Sequence, residues 1–272
     1  MHSSRRPAPR PLRRPLASAA TPTSAAAPPV VWEQAAAAAT VLARNAQGGQ
    51  INVQVLCWPI VPTAWALLQQ ALQLVQASRM SVGRDSGGDG AARSWVGESA
   101  PQLSQPFRDT AAEESSVAAL LARTPLQFSV GLATAADLSA PEALAVARRQ
   151  SLTDCLAGYG ESLRVPGRSP VRRLLVAGDA DAELEQDLDV ALKRARLRLD
   201  DSDALRGLRV QRLTDTPALL PLEAAGVVAR AVAEHLRGGE SVHAILDVAV
   251  AKLMRVPPEL ARDGKPRQPR RR

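Results

Sequence analysis

The sequence predicts an α+β protein. An αββα(α) module occupies the C-terminal half, preceded by a small α/β extension and a disordered leader. Two observations predict this class. Apolar residues make up 46% of the 272 residues but aromatics only 3%, so the core must consist of Leu, Val and Ala, which favours helices. In addition, segments whose apolar residues recur at every second position are interspersed with segments whose apolar residues recur at helical spacing.

Basic charge is concentrated at the two ends of the chain. Residues 1–32 contain five arginines and no acid, and residues 262–272 contain six cations and one acid. Each end therefore carries +5, and the formal total of +7 leaves −3 for the residues between them. The high isoelectric point thus gives no indication that the folded body binds nucleic acid.

Residues 1–31 are predicted to be a transit peptide. They are rich in Arg, Ala, Ser, Thr and Pro, and no acidic residue precedes Glu33. The alternative is a disordered leader that carries no targeting information. The arginines favour the mitochondrial matrix as the location, with the chloroplast stroma as the alternative.

Residues 32–135 are predicted to form the α/β extension. Its first helix is alanine-rich and ends at two glycines, and a mobile Gly/Ser loop is predicted at 80–106. That loop has neither GxxxxGK[ST] nor GxGxxG, so phosphate binding is not predicted there. The predicted elements are helix Trp32–Asn45, strand Ile51–Cys57, helix Ala64–Ser78, helix Thr110–Arg123 and strand Leu126–Val130.

Residues 136–256 are predicted to form the C-terminal domain, followed by a basic tail at 257–272. A capping box, Ser139 to Glu142, begins a helix that we expect to end near Ala157, at two glycines that flank Tyr159 in a turn. The predicted elements after it are strand Val171–Val176, helix Glu183–Leu197, strand Leu208–Leu213, and helices Leu222–Leu236 and Ser241–Met254.

The element order from residue 171 onwards carries a family resemblance. The first strand runs into Gly178, a Thr216–Leu219 connection follows the second strand, and the last two helices place small and apolar residues at regular spacing, among them Ala225, Val228 and Val232. This order resembles the KH type II domain of the universal small-subunit ribosomal protein S-three family. The resemblance implies a ribosomal protein whose partners are rRNA and other small-subunit ribosomal proteins.

The loop that would bind RNA departs from the KH pattern. A KH domain holds about four nucleotides with a GxxG loop, whereas residues 178–181 read Gly-Asp-Ala-Asp, and the carboxylates of Asp179 and Asp181 would repel phosphate. We therefore expect RNA contact from the C-terminal tail instead. The alternative is a solvated tail that only aids solubility. The predicted RNA-binding residues are Arg262, Lys265, Arg267, Arg270, Arg271 and Arg272.

No catalytic, cofactor-binding or metal-binding residue is predicted. His2, His235 and His243 have no cysteine or acid at ligand spacing, and Cys57 and Cys155 are predicted to be buried thiols. No apolar run reaches the length of a membrane span, so we expect no membrane contact. Because no group of catalytic side chains stands out, we expect no small-molecule substrate either.

The predicted function is a structural constituent of an organellar, mitochondrial small ribosomal subunit. It would contact rRNA through its basic termini and neighbouring proteins through its helices. The alternative is a soluble organellar assembly factor or scaffold that docks a protein partner on the helical pair Leu222–Met254. An enzyme with an unrecognised site in residues 33–135 is the third possibility.

Overall fold

The computed structural model describes residues 34–44, 48–82, 111–135, 137–168, 170–177, 182–199, 205–213, 219–238 and 244–260. These residues form a mixed α/β architecture, consistent with the predicted α+β class, and end in a 3₁₀ turn, Pro258–Leu260. The strands are β1 Ala35–Arg44, β2 Gln50–Pro59, β3 Leu126–Ala135, β4 Arg173–Ala177 and β5 Arg209–Leu213. The helices are α1 Ala64–Val82, α2 Ala111–Arg123, α3 Pro141–Leu163, α4 Ala182–Arg198, α5 Leu220–Leu236 and α6 Ala244–Ala251.

One five-stranded sheet organises the described residues, in the order β3-β2-β1-β4-β5. β2 runs antiparallel to both of its neighbours, whereas β1, β4 and β5 are parallel. The parallel β1–β4 pair joins strands from the segments 32–135 and 136–256. Both segments therefore belong to one compact unit, and the two strands of the predicted C-terminal module form only part of the sheet.

Helices cover both faces of the sheet. Ala36 and Ala38 of β1 contact the apolar cluster that α3 and α4 form with β4. Because side chains alternate along a strand, Ala35 and Ala37 point to the opposite face, where α5 packs on β1 and β2. α1 is attached to the same strand by a 3.0 Å hydrogen bond from Trp65 Nε1 to the Ala35 carbonyl.

The helix predicted over Trp32–Asn45 is wrong, because residues 35–44 form the central strand of the sheet. Alanine favours helices in isolation. Here the first four alanines of β1 are at most 2% exposed, between helices on both faces and strands on both sides. Tertiary burial therefore overrides the local preference, and the small side chains let the helices approach the sheet closely.

The predicted start and end of α3 are also wrong. The residue before the helix is Ala140, without a side-chain capping bond, while the Ser139 amide donates to Asp137 Oδ1 at 2.8 Å. The helix continues through Gly158 and Gly160 to Leu163. A β-carbon at either glycine would overlap a neighbouring side chain, so these glycines allow close packing instead of ending the helix.

Tyr159 lies inside α3 and not in a turn. Its ring packs on Trp58 of β2 with 5.1 Å between the centroids, so Tyr159 packs against the sheet. Its hydroxyl oxygen accepts a 2.7 Å hydrogen bond from the Val171 amide. Tyr159 thus holds the segment just before β4 against the core.

The other predicted strands and helices are present, with ends that move by up to five residues. The leader, most of the Gly/Ser loop at 80–106, the turn at 178–181 and the tail from residue 261 lie outside the described residues. In the described helices, no segment is both long and apolar enough to span a membrane.

Candidate nucleic-acid interface

All of the predicted RNA-binding residues lie outside the described residues. These are Arg262, Lys265, Arg267, Arg270, Arg271 and Arg272. The last described residue, Leu260, is 2% exposed, and its amide donates to the Pro257 carbonyl at 3.0 Å. The basic tail therefore follows directly from a residue that is packed in the core.

A second group of arginines lies within the fold, at the edge where β4 and β5 begin. β4 starts at Arg173 and β5 at Arg209, and the parallel register places these two residues side by side. The Arg209 amide donates to the Arg172 carbonyl at 3.0 Å, which extends the pairing by one residue. We call this group the arginine edge. Its members are Arg168, Arg172, Arg173, Arg206 and Arg209.

Two turns with apolar anchors form the arginine edge. After α3, Gly167 adopts φ +82°, and the Arg168 amide donates to the Val165 carbonyl at 3.3 Å. Before β5, buried Leu205 and Leu208 hold a turn closed by a 3.3 Å bond between them. The leucines face the core, so the arginines beside them are directed towards solvent.

The arginines nearest the helix ends have structural partners. A guanidinium nitrogen of Arg164 donates to the Leu199 carbonyl, and Arg196 donates to the Leu205 carbonyl at 3.0 Å. Arg198 pairs with Asp154 of α3. Cations at helix C-termini are favoured by the helix dipole, so these three arginines are accounted for by the fold.

Most of the arginine edge has no such partner. The side chains of Arg172, Arg173 and Arg209 make no ion pair or hydrogen bond with the described part of the chain, although Arg206 does have a partner. Nη1 of Arg168 is buried and unpaired. The edge therefore presents guanidinium groups that have no side-chain partner among the described residues.

The in-register arginines also repel each other. Neighbouring strands lie about 4.8 Å apart, so Arg173 and Arg209 project side by side on the same face of the sheet. Arg212, of opposite parity, contacts Glu185 of α4 at 3.4 Å, so this face is the one opposite α4. Like charges about 5 Å apart repel by about 1 kcal/mol in water, and by less where the long side chains spread apart. A bound phosphate would relieve this repulsion through charge-assisted hydrogen bonds.

Other charged side chains hold helices together. Asp187 of α4 is 1% exposed; its Oδ1 accepts a 2.5 Å bond from Arg149 Nε, and its Oδ2 lies 3.0 Å from Arg148 Nε without hydrogen-bond geometry. Lys252 Nζ donates to the carbonyls of Leu121 and Thr124 at the end of α2. The charged groups of Asp187 and Lys252 are therefore explained by contacts within the fold.

The predicted buried thiols are confirmed. Cys57 and Cys155 are both free and fully buried. Burial raises the pKa of each thiol above its ordinary value, so both stay protonated at neutral pH and are poor nucleophiles. Among the described residues, no three His, Cys, Asp or Glu side chains are arranged to hold a metal ion.

Sequence reasoning missed the arginine edge because it averaged the charge of the central residues. The arginines lie in two short runs, residues 168–173 and 206–209, each at the start of a predicted strand. Two parallel strands joined by one helix begin at the same edge of a sheet. If β4 and β5 had been recognised as parallel neighbours, this rule would have placed the two arginine runs at the same end of the sheet.

Comparison with known proteins gives no identification. No family model matches the chain, and no curated protein matches it significantly. The function is therefore inferred from the residues themselves.

Proposed function

We propose that this protein is an RNA-bound structural component of an organellar, mitochondrial small ribosomal subunit. One observation carries the proposal. Arg173 and Arg209 lie side by side on adjacent strands, with Arg172 next to them, and none of the three has a side-chain partner in the described chain. Such a group matches the spaced negative charges of an RNA backbone.

Features of the sequence support the same reading. The acid-free leader is typical of a transit peptide and accounts for the organellar assignment. The tail adds cations from Arg262 to Arg272, directly after the packed Leu260. The protein would thus contact rRNA through both the arginine edge and its basic termini.

The KH type II assignment is the finer part of the proposal. Its support is the order of β4, α4, β5, α5 and α6, the strand, helix, strand and two helices expected from residue 171 onwards; α4 separates the two strands, which are consecutive in an αββα(α) module. β4 also pairs with β1, so the module is built into a larger sheet. We therefore assign the RNA contact to the arginine edge, and not to a nucleotide groove of a separate KH domain.

Sedimentation of an organellar extract tests the ribosomal role. We expect the protein to co-sediment with the small subunit at low salt and to leave it after RNase treatment or as salt rises. A protein that stays at the top of the gradient at low salt would contradict the proposal.

Charge reversal tests the arginine edge on the purified full-length chain. The double variant Arg172→Glu, Arg209→Glu should bind a fluorescent single-stranded RNA at least tenfold more weakly, with a salt dependence reduced by about one unit of slope per lost contact. Arg230→Glu, at an exposed arginine of α5, is the matched control. The double variant should keep its melting temperature, because the carboxylate introduced on β5 would face Arg173 with the opposite charge.

The alternative function, a scaffold that docks a partner on the helical pair, has less structural support. Eleven residues of α5 are buried, and the helix packs on β1, β2 and α6. Little of the α5 surface is therefore left for a partner. Association that survives both RNase and high salt would nevertheless favour this alternative over RNA binding.

A further inference from the structure

A groove of about 550 Å³ lies at the far end of β1 from the arginine edge. Leu42, Ala43 and Arg44 of β1 line one side, Leu138 and Ser139 lie before α3, and Arg237 follows α5. Leu42 is 51% exposed, which is unusual for a leucine in a central strand. The groove thus combines apolar side chains with two arginines at its rim.

The groove exists because β1 is longer than β4. The β1–β4 register runs only from Ala35 to Ala38, and β1 continues for six more residues, Ala39–Arg44. Within the described residues, no strand pairs with this part of β1 on the side away from β2. An extended chain can therefore add to the open edge by main-chain hydrogen bonds.

The charge of the groove is positive. Arg44 and Arg237 are both exposed, and neither side chain forms an ion pair or hydrogen bond with the described residues. The nearby carboxylate of Asp137 accepts a 2.8 Å hydrogen bond from the Ser139 amide and keeps its negative charge, so the two arginines outnumber it by one. The rim therefore favours an acidic ligand.

The apolar lining distinguishes this site from the arginine edge. A phosphate backbone would pair with Arg44 and Arg237 but would leave Leu42 in water. A peptide that carries carboxylates beside apolar side chains uses both features, since it buries Leu42 and also forms charge-assisted hydrogen bonds.

We propose that this groove binds an extended acidic peptide segment of a partner protein. One apolar side chain of the peptide packs on Leu42 and Leu138, and its carboxylates pair with Arg44 and Arg237. Its main chain pairs with the open part of β1. This protein-binding site is separate from the RNA contact proposed above and does not depend on it.

The test uses the full-length chain and a fluorescein-labelled peptide of alternating glutamate and leucine, measured by anisotropy. We expect saturable binding that Arg44→Glu combined with Arg237→Glu weakens at least tenfold. Replacing glutamate by glutamine in the peptide should weaken binding to a similar extent. Leu42→Ala should weaken it several-fold, because it removes apolar contact but no charge.

Two controls separate this proposal from RNA binding. Arg230→Glu should leave peptide affinity unchanged, and so should the double reversal of Arg172 and Arg209. The groove variants should retain RNA affinity within twofold. Peptide binding that survives the double reversal of Arg44 and Arg237, or that falls equally with the arginine-edge variant, would overturn the proposal even if RNA binding is confirmed.

Folding of the groove variants is checked independently. Both arginines are exposed, so we expect unchanged melting temperatures. If the double reversal lowers the melting temperature, Arg44→Gln combined with Arg237→Gln serves as the second test. Unaltered peptide affinity in that folded variant would also refute the proposal.

Discussion

The close contact between α3 and β3 predicts that Gly131→Ala is strongly destabilising. Gly131 lies in β3 directly beneath Ser151 of α3. An added β-carbon would overlap the Ser151 carbonyl oxygen and would lie 2.6 Å from its carbonyl carbon and 2.9 Å from its Cα. Carbon atoms prefer separations of about 3.5–4.0 Å. The helix backbone would therefore have to retreat by about 1 Å.

That retreat would break a buried hydrogen bond. Asn52 Nδ2 and Ser151 Oγ are 2.6 Å apart, and both residues are fully buried. A separation near 3.6 Å is no longer a hydrogen bond. Overpacking costs about 1–3 kcal/mol, and an unpaired buried polar group costs a similar amount. We expect a total loss of roughly 2–6 kcal/mol, measured by urea unfolding followed by circular dichroism.

Two other glycines give matched controls. A β-carbon at Gly160 would overlap Cδ1 of buried Leu199 and lie 3.2 Å from its Cγ, so this side chain must shift, whereas at Gly131 the helix backbone must shift. A helical alanine regains up to about 1 kcal/mol of propensity. Gly207 has nothing within 4 Å of an added β-carbon. We expect a change within about 1 kcal/mol for Gly207→Ala, and a smaller loss for Gly160→Ala than for Gly131→Ala. If Gly131→Ala is as stable as Gly207→Ala, the close contact between α3 and β3 is not rigid and our reasoning fails.

Three further predictions concern the core and the tail. Burial raises the pKa of Tyr159 to about 12, so the folded state keeps a proton that the unfolded chain loses near pH 10. The free energy of unfolding should therefore fall by up to about 3 kcal/mol between pH 10 and pH 12. The fall should be smaller in Tyr159→Phe. Asp187→Asn should cost about 1–3 kcal/mol in urea unfolding, less than a fully buried pair, because its arginine partners reach solvent. Deleting residues 264–272 should weaken RNA binding without lowering the melting temperature, whereas Val228→Asp, at a fully buried position, should unfold the protein.

Specific outcomes would contradict these predictions. Tyr159 is the only tyrosine of the chain, so its phenolate absorbance reports its titration directly. Ionisation at its ordinary pKa in the folded protein would refute the alkaline effect. An Asp187→Asn variant of unchanged stability would show that the α3–α4 ion pairs contribute nothing. A tail deletion that lowers the melting temperature as much as Val228→Asp would show that the tail is part of the core.

The sequence predicted most elements of the fold because their side-chain periods are strong. β2 alternates apolar and polar residues, and α1 repeats apolar residues at helical spacing. β1 could not be predicted in this way, because alanine carries a helical preference and almost no periodic signal. Pairing with β2 along Ala37–Arg44 and with β4 along Ala35–Ala38 makes this segment a strand.

The candidate site was harder to predict than the elements. The tail from Arg262 to Arg272 holds six cations and one acid, so composition alone marks it. The arginine edge depends on Arg173 and Arg209, which are 36 residues apart and meet only because β4 and β5 are parallel. The groove between Arg44 and Arg237 depends on the difference in length between β1 and β4, which no local pattern encodes.

The central place of β1 has a consequence for biosynthesis. β1 receives one neighbour early, from β2, but its other neighbour, β4, is made only about 130 residues later. A ribosome needs about 6–26 seconds to add those residues, at roughly 5–20 residues per second. During that interval β1, an alanine-rich segment with a helical preference, has a neighbouring strand on one side only. The first half of the nascent chain therefore cannot form the complete sheet by itself. We expect chaperone protection to be needed most before Ala177 emerges.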